Sequence, residues 1–224
     1  RIGADGVVDE AQAGIERFRA WTRADNQQML QVFRDAGLRT TIAFNAGLVE
    51  AAIDLGLPLS FHILTSQQDT FRARGPKINA FMSIIRGCQD LLGTFVFGGV
   101  FERHPRLRLV CVEADAGWVP HFMYRMDHAY KRHRYWMKGK ELQRLPSEYF
   151  REHIALTFQD DWTAFQFANL MAPNQLMWAN DFPHSDSTWP WSKDVIAEQT
   201  SHLDPVLKKR ILRDNVAELY KLAA

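Results

Sequence analysis

The chain predicts an α/β fold in which a parallel sheet is covered by helices. Three observations predict it. Short apolar runs alternate with longer amphipathic stretches from Thr40 to the end. Those runs are nearly continuous in apolar character, as strands buried on both faces are. Four of them end at or just before a titratable residue, namely His62, Glu113, Asp160 and Asp181. In a closed (β/α) barrel or an open α/β sheet the C-terminal strand ends share one face, and ligands bind there.

In chain order, residues 9–38 predict two helical pieces. Asp25 with Gln28 three places on makes a capping box, Gly37 suits a helix end, and Met29, Leu30, Val32 and Phe33 supply a buried face. Thr40–Phe44 is β-branched and apolar and predicts a strand. Ala46–Leu55 predicts a short helix closed by Gly56, and Pro58–Leu64 a strand that carries His62 near its end. After a polar loop with Arg72, Arg74 and Gly75, a helix is expected from about Ile78 to Leu92. The glycine-broken stretch Phe95–Phe101 continues it as helix or irregular chain. Pro105 introduces the strand Leu107–Val112, which stops at Glu113-Ala-Asp115-Ala-Gly117.

Trp118, Phe122, Met126 and Tyr130 recur at near-helical spacing, so a long helix is expected from Trp118 to about Lys138. Its basic residues Arg125, Lys131, Arg132 and Arg134 read as a solvated face or a subunit contact, the latter in a homodimer. His121, His128 and His133 on this helix read as surface residues. His153–Gln159 predicts a strand closed by Asp160-Asp161, then a helix from about Thr163 to Leu170 and a strand over Gln175–Ala179. Two helices close the chain, about Lys193–Ser201 and Pro205–Leu222. Asp204 caps the second, and Leu207, Ile211, Val216, Leu219 and Tyr220 form its apolar face.

A length of 224 residues with 46% hydrophobic content supports a sizeable core. Lys+Arg 27 against Asp+Glu 26 leaves a net charge of +1, which argues against nucleic acid or an anionic membrane as partner. No apolar run reaches the ~18 residues of a membrane span. Cys88 and Cys111 make no disulfide framework or CxxC motif, which points to a reducing, cytoplasmic setting; Cys111, in an apolar strand, reads as core. The chain opens on Arg1 rather than Met, so the natural N-terminus is expected to lie outside it. Phosphate-binding glycine motifs (GxGxxG, GxxxxGK[ST]) and a GxSxG nucleophile elbow are all missing, which leaves nucleotide and serine-hydrolase readings without support.

The stretch Asn180–Trp191 holds the densest chemistry. Asp181, His184 and Asp186 fall within six positions just past an apolar strand. Ordering such groups is costly unless they bind something, although Asp, Ser and Pro also simply build turns. A lone strand histidine such as His62 is more often structural, and its place at a strand end is what raises the functional reading. Imidazole and carboxylate together suit one divalent metal, Zn first and Mn second. Such an ion lowers the pKa of bound water to about 7 or polarises a carbonyl or carboxylate, and a nearby carboxylate can then move protons.

Pro58–Leu64, the run Gly99-Val-Phe-Glu-Arg-His-Pro-Arg-Leu107 through Trp118, and Met177-Trp-Ala-Asn-Asp-Phe-Pro-His184 together resemble the amidohydrolase-related (amidohydrolase 2) family. That family includes aminocarboxymuconate-semialdehyde and resorcylate-type decarboxylases. The closing Asp214-Asn-Val-Ala-Glu-Leu-Tyr220 looks like its C-terminal helix. The resemblance runs from about Val49 to the end, and Asp181-Phe-Pro-His184 is its most specific part.

The resemblance implies a distorted (β/α) TIM barrel with one metal, in which His62 and Asp181 are ligands and Asp181 also relays a proton. The family's His-x-His pair has no counterpart in this sequence, and Glu113 stands where its decarboxylases carry a histidine. The expectation is therefore a single barrel domain over residues 1–224 that lacks its first strands, with about strands 4–8 present. Asp181 and Glu113 are the expected acid–base pair. His184, Arg72 (or Arg74) and Trp189 with Trp191 are expected to meet a small, aromatic or carboxylated substrate. Hydrolysis by a metal-activated water is the first expectation and non-oxidative decarboxylation on the same metal the alternative. A catalytically inactive barrel with a binding role is the third.

Overall fold

The computed structural model describes residues 6–8, 17–23, 40–45, 48–54, 58–63, 75–76, 78–79, 82 and 84–222. They form two sheets. The first is antiparallel: β1 (Gly6–Val8), β2 (Arg17–Arg23), β3 (Thr40–Asn45) and β4 (Leu48–Asp54) lie in the order β1-β2-β4-β3. The strand expected at Thr40 is present, but its partner is antiparallel.

Two helix expectations are corrected here. Arg17–Arg23 is a strand, and so is Leu48–Asp54. In the first, Arg17, Arg19 and Arg23 alternate with Phe18, Ala20 and Thr22, a period of two that suits a strand. The second contains helix formers, yet β4 is paired along all seven residues with β2 and along six with β3. Partners on both sides for its backbone groups outweigh a weak local preference. Residues 9–16 and 24–38 of the expected helices, with Asp25, Gln28 and Gly37, lie outside the described residues.

The second sheet is parallel and in chain order: β5 (Leu59–His62), β6 (Leu109–Val112), β7 (Ile154–Phe158) and β8 (Leu176–Trp178). The register pairs Leu59 with Leu109, Leu109 with Ile154 and Leu156 with Leu176. Parallel neighbours need crossovers, and helices supply them. Between β5 and β6 come α1 (Ile84–Phe97) and α2 (Val100–Arg103), and between β6 and β7 come α3 (Val119–His133) and α4 (Pro146–His153). Between β7 and β8 come α5 (Trp162–Gln166) and a 3-10 turn, Ala168–Leu170. Beyond β8 follow α6 (Ser192–Gln199), α7 (Pro205–Lys209), a π turn (Arg210–Asp214) and α8 (Asn215–Tyr220). The class is the α/β class expected.

Strand alternation sends side chains to two buried faces. Phe61, Leu109, Cys111, Ile154, Leu156, Phe158 and Leu176 join the main core under the helices. Val110, Ala155 and Met177 point the other way, against Val216, Leu219 and Tyr220 of α8. Burial on both sides explains the uniform apolar reading of these runs. Asn215 fixes α8 there, donating from Nδ2 to the carbonyls of Pro173 and Leu176 at 2.8 Å each.

Helix ends follow local chemistry. Asp204 caps α7 by accepting from Val206 N–H at 2.9 Å and Leu207 N–H at 3.2 Å. α1 starts later than Ile78 and runs past Leu92, until Gly98 and Gly99 separate it from α2. Gly99 has φ +62°, and a Cβ there would lie 2.4 Å from Lys140 Nζ. α3 stops short of Lys138, because Gly139 N–H bonds back to Arg134 O at 2.8 Å through a left-handed Lys138. Among the described residues no helix is long and apolar enough to cross a membrane.

Candidate active site

Parallel strands bring their C-terminal ends to one edge, and the site grows from three of them. β5 ends on His62. β6 ends at Val112 and is followed at once by Glu113. Asp181 comes three residues after Trp178, the last residue of β8. His62 Nε2 and Glu113 Oε2 form a close hydrogen bond, with the imidazole 44% exposed and the carboxylate 17%. Glu113, Asp181 and His184 each offer one donor atom, and the three atoms lie within 4.8 Å of one another. His184 Nδ1 is 3.4 Å from Asp181 Oδ2.

The backbone is unusual at these points. Five non-glycine residues have positive φ among the described residues, and two of them, Lys138 and Lys221, end helices. The other three are Glu113 (+62°), Asp115 (+52°) and Asp181 (+58°). Left-handed backbone at a non-glycine residue costs energy and clusters where a side chain must be aimed.

Electrostatics follow from the crowding of carboxylates. Burial, and then the negative charge of Glu113, hold the Asp181 carboxyl above the usual aspartate range. Asp115 is pushed up to about 6, by burial first and then by the charges of Asp161, Asp186 and Asp160. Asp181 Oδ2 is buried and has no hydrogen-bond partner among the described residues. An orphaned carboxylate oxygen beside a second carboxylate and an imidazole is what a divalent ion would complete, so the residues present fit such an ion. The fit uses His184 and Glu113 as well as the expected Asp181, while His62 reaches the cluster through Glu113.

The remaining expectations divide. Trp189 is 56% exposed and packs edge-on against Phe182, with ring centroids 4.9 Å apart. Trp191 is exposed as well. Arg72 and Arg74 lie outside the described residues. Asp160, the remaining strand-end carboxylate, turns away and accepts from Gln199 Nε2 at 2.6 Å. Its neighbour Gln159 turns in, donating from Nε2 to Asp186 Oδ2 at 2.9 Å. Thr157 and Asp161, which the sequence reading passes over, bond to the backbone of the loop that carries Glu113.

A protein-family model described as Amidohydrolase matches residues 17–222, beginning well before Val49. No curated protein matches the chain. Among solved structures, 5-carboxyvanillate decarboxylase of Sphingomonas paucimobilis superposes with a TM-score of 0.63 at 22% identity, covering 75% of this chain and 50% of its own. The 5-carboxyvanillate decarboxylase of Novosphingobium aromaticivorans, in complex with manganese and 4-hydroxy-3-methoxy-5-nitrobenzoic acid, gives 0.59 at 20% identity, covering 74% and 48%. The 2,6-dihydroxybenzoate decarboxylase of Rhizobium gives 0.53 at 18%, covering 73% and 51%. The fold is thus that of the metal-dependent hydrolase-type (β/α) TIM barrel, and the chain spans about half the length of these proteins.

Proposed function

The chain belongs to the amidohydrolase family, and from that membership we propose that it carries a metal-dependent, non-oxidative decarboxylase site for an aromatic carboxylic acid. The observation that carries this reading is the convergence of Glu113, Asp181 and His184 within 4.8 Å, with His62 on Glu113. These side chains offer the oxygen and nitrogen donors for one divalent ion, Zn or Mn. Manganese is the ion of the Novosphingobium structure. The three solved structures are decarboxylases, which favours carbon–carbon cleavage over hydrolysis. When bound, the ion supplies positive charge that fixes an anionic substrate oxygen and offsets the charge of the transition state.

The chain's own residues do the rest. Asp181, whose carboxyl burial and then Glu113 hold above its usual range, delivers a proton to the ring carbon that bears the carboxylate. The bond to the carboxylate breaks, carbon dioxide leaves, and the electron pair restores the ring. One proton is consumed and one carbon dioxide released. His62, hydrogen-bonded to Glu113 and 44% exposed, links the carboxylate pair to solvent for reprotonation. Trp189, edge-on to Phe182, walls the aromatic ring.

The test is to load the protein with Mn2+ or Zn2+ and follow carbon dioxide release from a panel of hydroxylated benzoates. Metal-dependent release, stopped by a chelator, is expected. Release of amine, alcohol or acid from amide or ester substrates, without carbon dioxide, overturns decarboxylation in favour of hydrolysis. Turnover that a chelator leaves untouched overturns the metal site.

A further inference from the structure

Glu113 and Asp115 both leave β6 in left-handed backbone, so the segment Glu113–Gly117 does not keep its shape by local preference. Two side chains from one neighbouring strand region hold it. Thr157 of β7 accepts Glu113 N–H on Oγ1 at 2.9 Å. Asp161, just beyond β7, accepts Ala116 N–H and Gly117 N–H on Oδ2, both at 2.7 Å. The other oxygen, Oδ1, accepts Ala164 N–H at 2.9 Å and so caps α5. The approach is close: a Cβ on Gly117 would lie 2.5 Å from Thr163 Cβ and 2.8 Å from Asp161 Oδ1. The segment is thus gripped at its first residue and again at its last two, by groups it meets only through the fold.

We propose that Thr157 and Asp161 are positioning residues that aim the Glu113 carboxylate at Asp181 and His184. This rests on the metal-site reading above. Neither residue belongs to the donor cluster; each acts through the backbone that carries Glu113. Partners of this kind typically change metal affinity 10- to 100-fold when removed.

Titration of the whole chain with Mn2+ tests it, beside a melting curve for each variant so that every titration is run on folded protein. Thr157→Val keeps the shape and removes the acceptor, and is expected to weaken Mn2+ binding at least roughly 10-fold. Thr157→Ser keeps an acceptor and is expected to restore wild-type affinity, which a purely packing role for the threonine would not do. Asp161→Asn loses the charge that holds two N–H groups and is expected to weaken binding too, and it stands in should Thr157→Val fail to fold. In carbon dioxide release, both variants are expected to lower kcat more than they raise KM. Wild-type affinity in Thr157→Val and Asp161→Asn overturns the positioning role and leaves the metal site standing. A wild-type chain that takes up no Mn2+ removes the metal site, and the positioning role falls with it.

Discussion

Two loops deliver the candidate site, and they are held in opposite ways. The loop after β6 carries Glu113 and is braced from outside, by Thr157 and Asp161. The loop after β8 carries Asp181 and His184 and is braced largely from within. There Asn180 O accepts Thr188 N–H at 3.1 Å and Ser187 Oγ–H at 2.7 Å, and Asn180 Oδ1 accepts Phe182 N–H at 3.2 Å. His184 N–H returns to Asp181 O at 2.8 Å. In the first loop, support and aim depend on a neighbouring strand; in the second, the chain supplies its own frame. Chemistry and support should therefore separate cleanly in the β8 loop and poorly in the β6 loop.

Asp181→Asn gives the largest expected effect and tests that separation. Asp181 Oδ2 has no hydrogen-bond partner among the described residues, and beside its 3.4 Å contact with His184 Nδ1 the backbone bond from His184 N–H to Asp181 O does not depend on the side chain. Removing the charge therefore takes away the proton donor while leaving the frame. The expected outcome is a fall in kcat of roughly 10²- to 10⁴-fold with no loss of stability in a melting experiment. Near-normal turnover would remove Asp181 from its role, and a large drop in melting temperature would break the separation.

Comparing the loops in acid requires a background from a residue in neither. His104 is 3% exposed, and its Nδ1 has no partner among the described residues. Burial is the largest cause that lowers its pKa from 6.5 to about 4, and the charge of Arg103 is among the smaller ones. As pH falls, the unfolded chain binds this proton before the folded one does. The stability this group confers is whole above about 6.5 and is lost as pH falls to about 4, on the order of 3 kcal/mol. Denaturation curves taken across that range should flatten in His104→Leu; an unchanged pH dependence would discard His104 as the cause. Gly117→Ala comes next and acts on the β6 loop itself. The added methyl meets Thr163 Cβ at 2.5 Å, so a loss of about 1–3 kcal/mol is expected, together with weaker Mn2+ binding. A destabilised variant with unchanged metal affinity would show that the β6 loop, too, keeps support and aim apart.

How much of this could be read beforehand follows from the same contrast. β6 to β8 are legible because burial on both faces makes each a largely apolar run, and Glu113 and Asp181 because each is a carboxylate placed just past one. The brace is not legible. Thr157 in a strand looks like any β-branched residue, and Asp161 looks like a helix cap, which it also is. Their second partners are 44 or 45 residues away. Pairing at a distance likewise decides Leu48–Asp54, whose Ala and Glu content favours a helix. His184 was legible as a site residue but not as a third donor atom, because that depends on the left-handed turn at Asp181.

Ser187→Ala gives the smallest expected effect and tests the frame of the β8 loop directly. Ser187 Oγ donates to Asn180 O at 2.7 Å and accepts Trp189 N–H at 3.1 Å. Asn180 O keeps its bond from Thr188 N–H, so the carbonyl is not orphaned by the change. Trp189 is exposed, so its freed N–H can turn to water. A loss of about 0.5–1.5 kcal/mol is expected, with Mn2+ affinity close to wild type because His184 still bonds back to Asp181 O. Substrate KM should rise, since the Trp189 ring is no longer fixed against Phe182. If Ser187→Ala instead weakens Mn2+ binding as much as Thr157→Val does, the β8 loop is aimed through its frame just as the β6 loop is, and the contrast between them disappears.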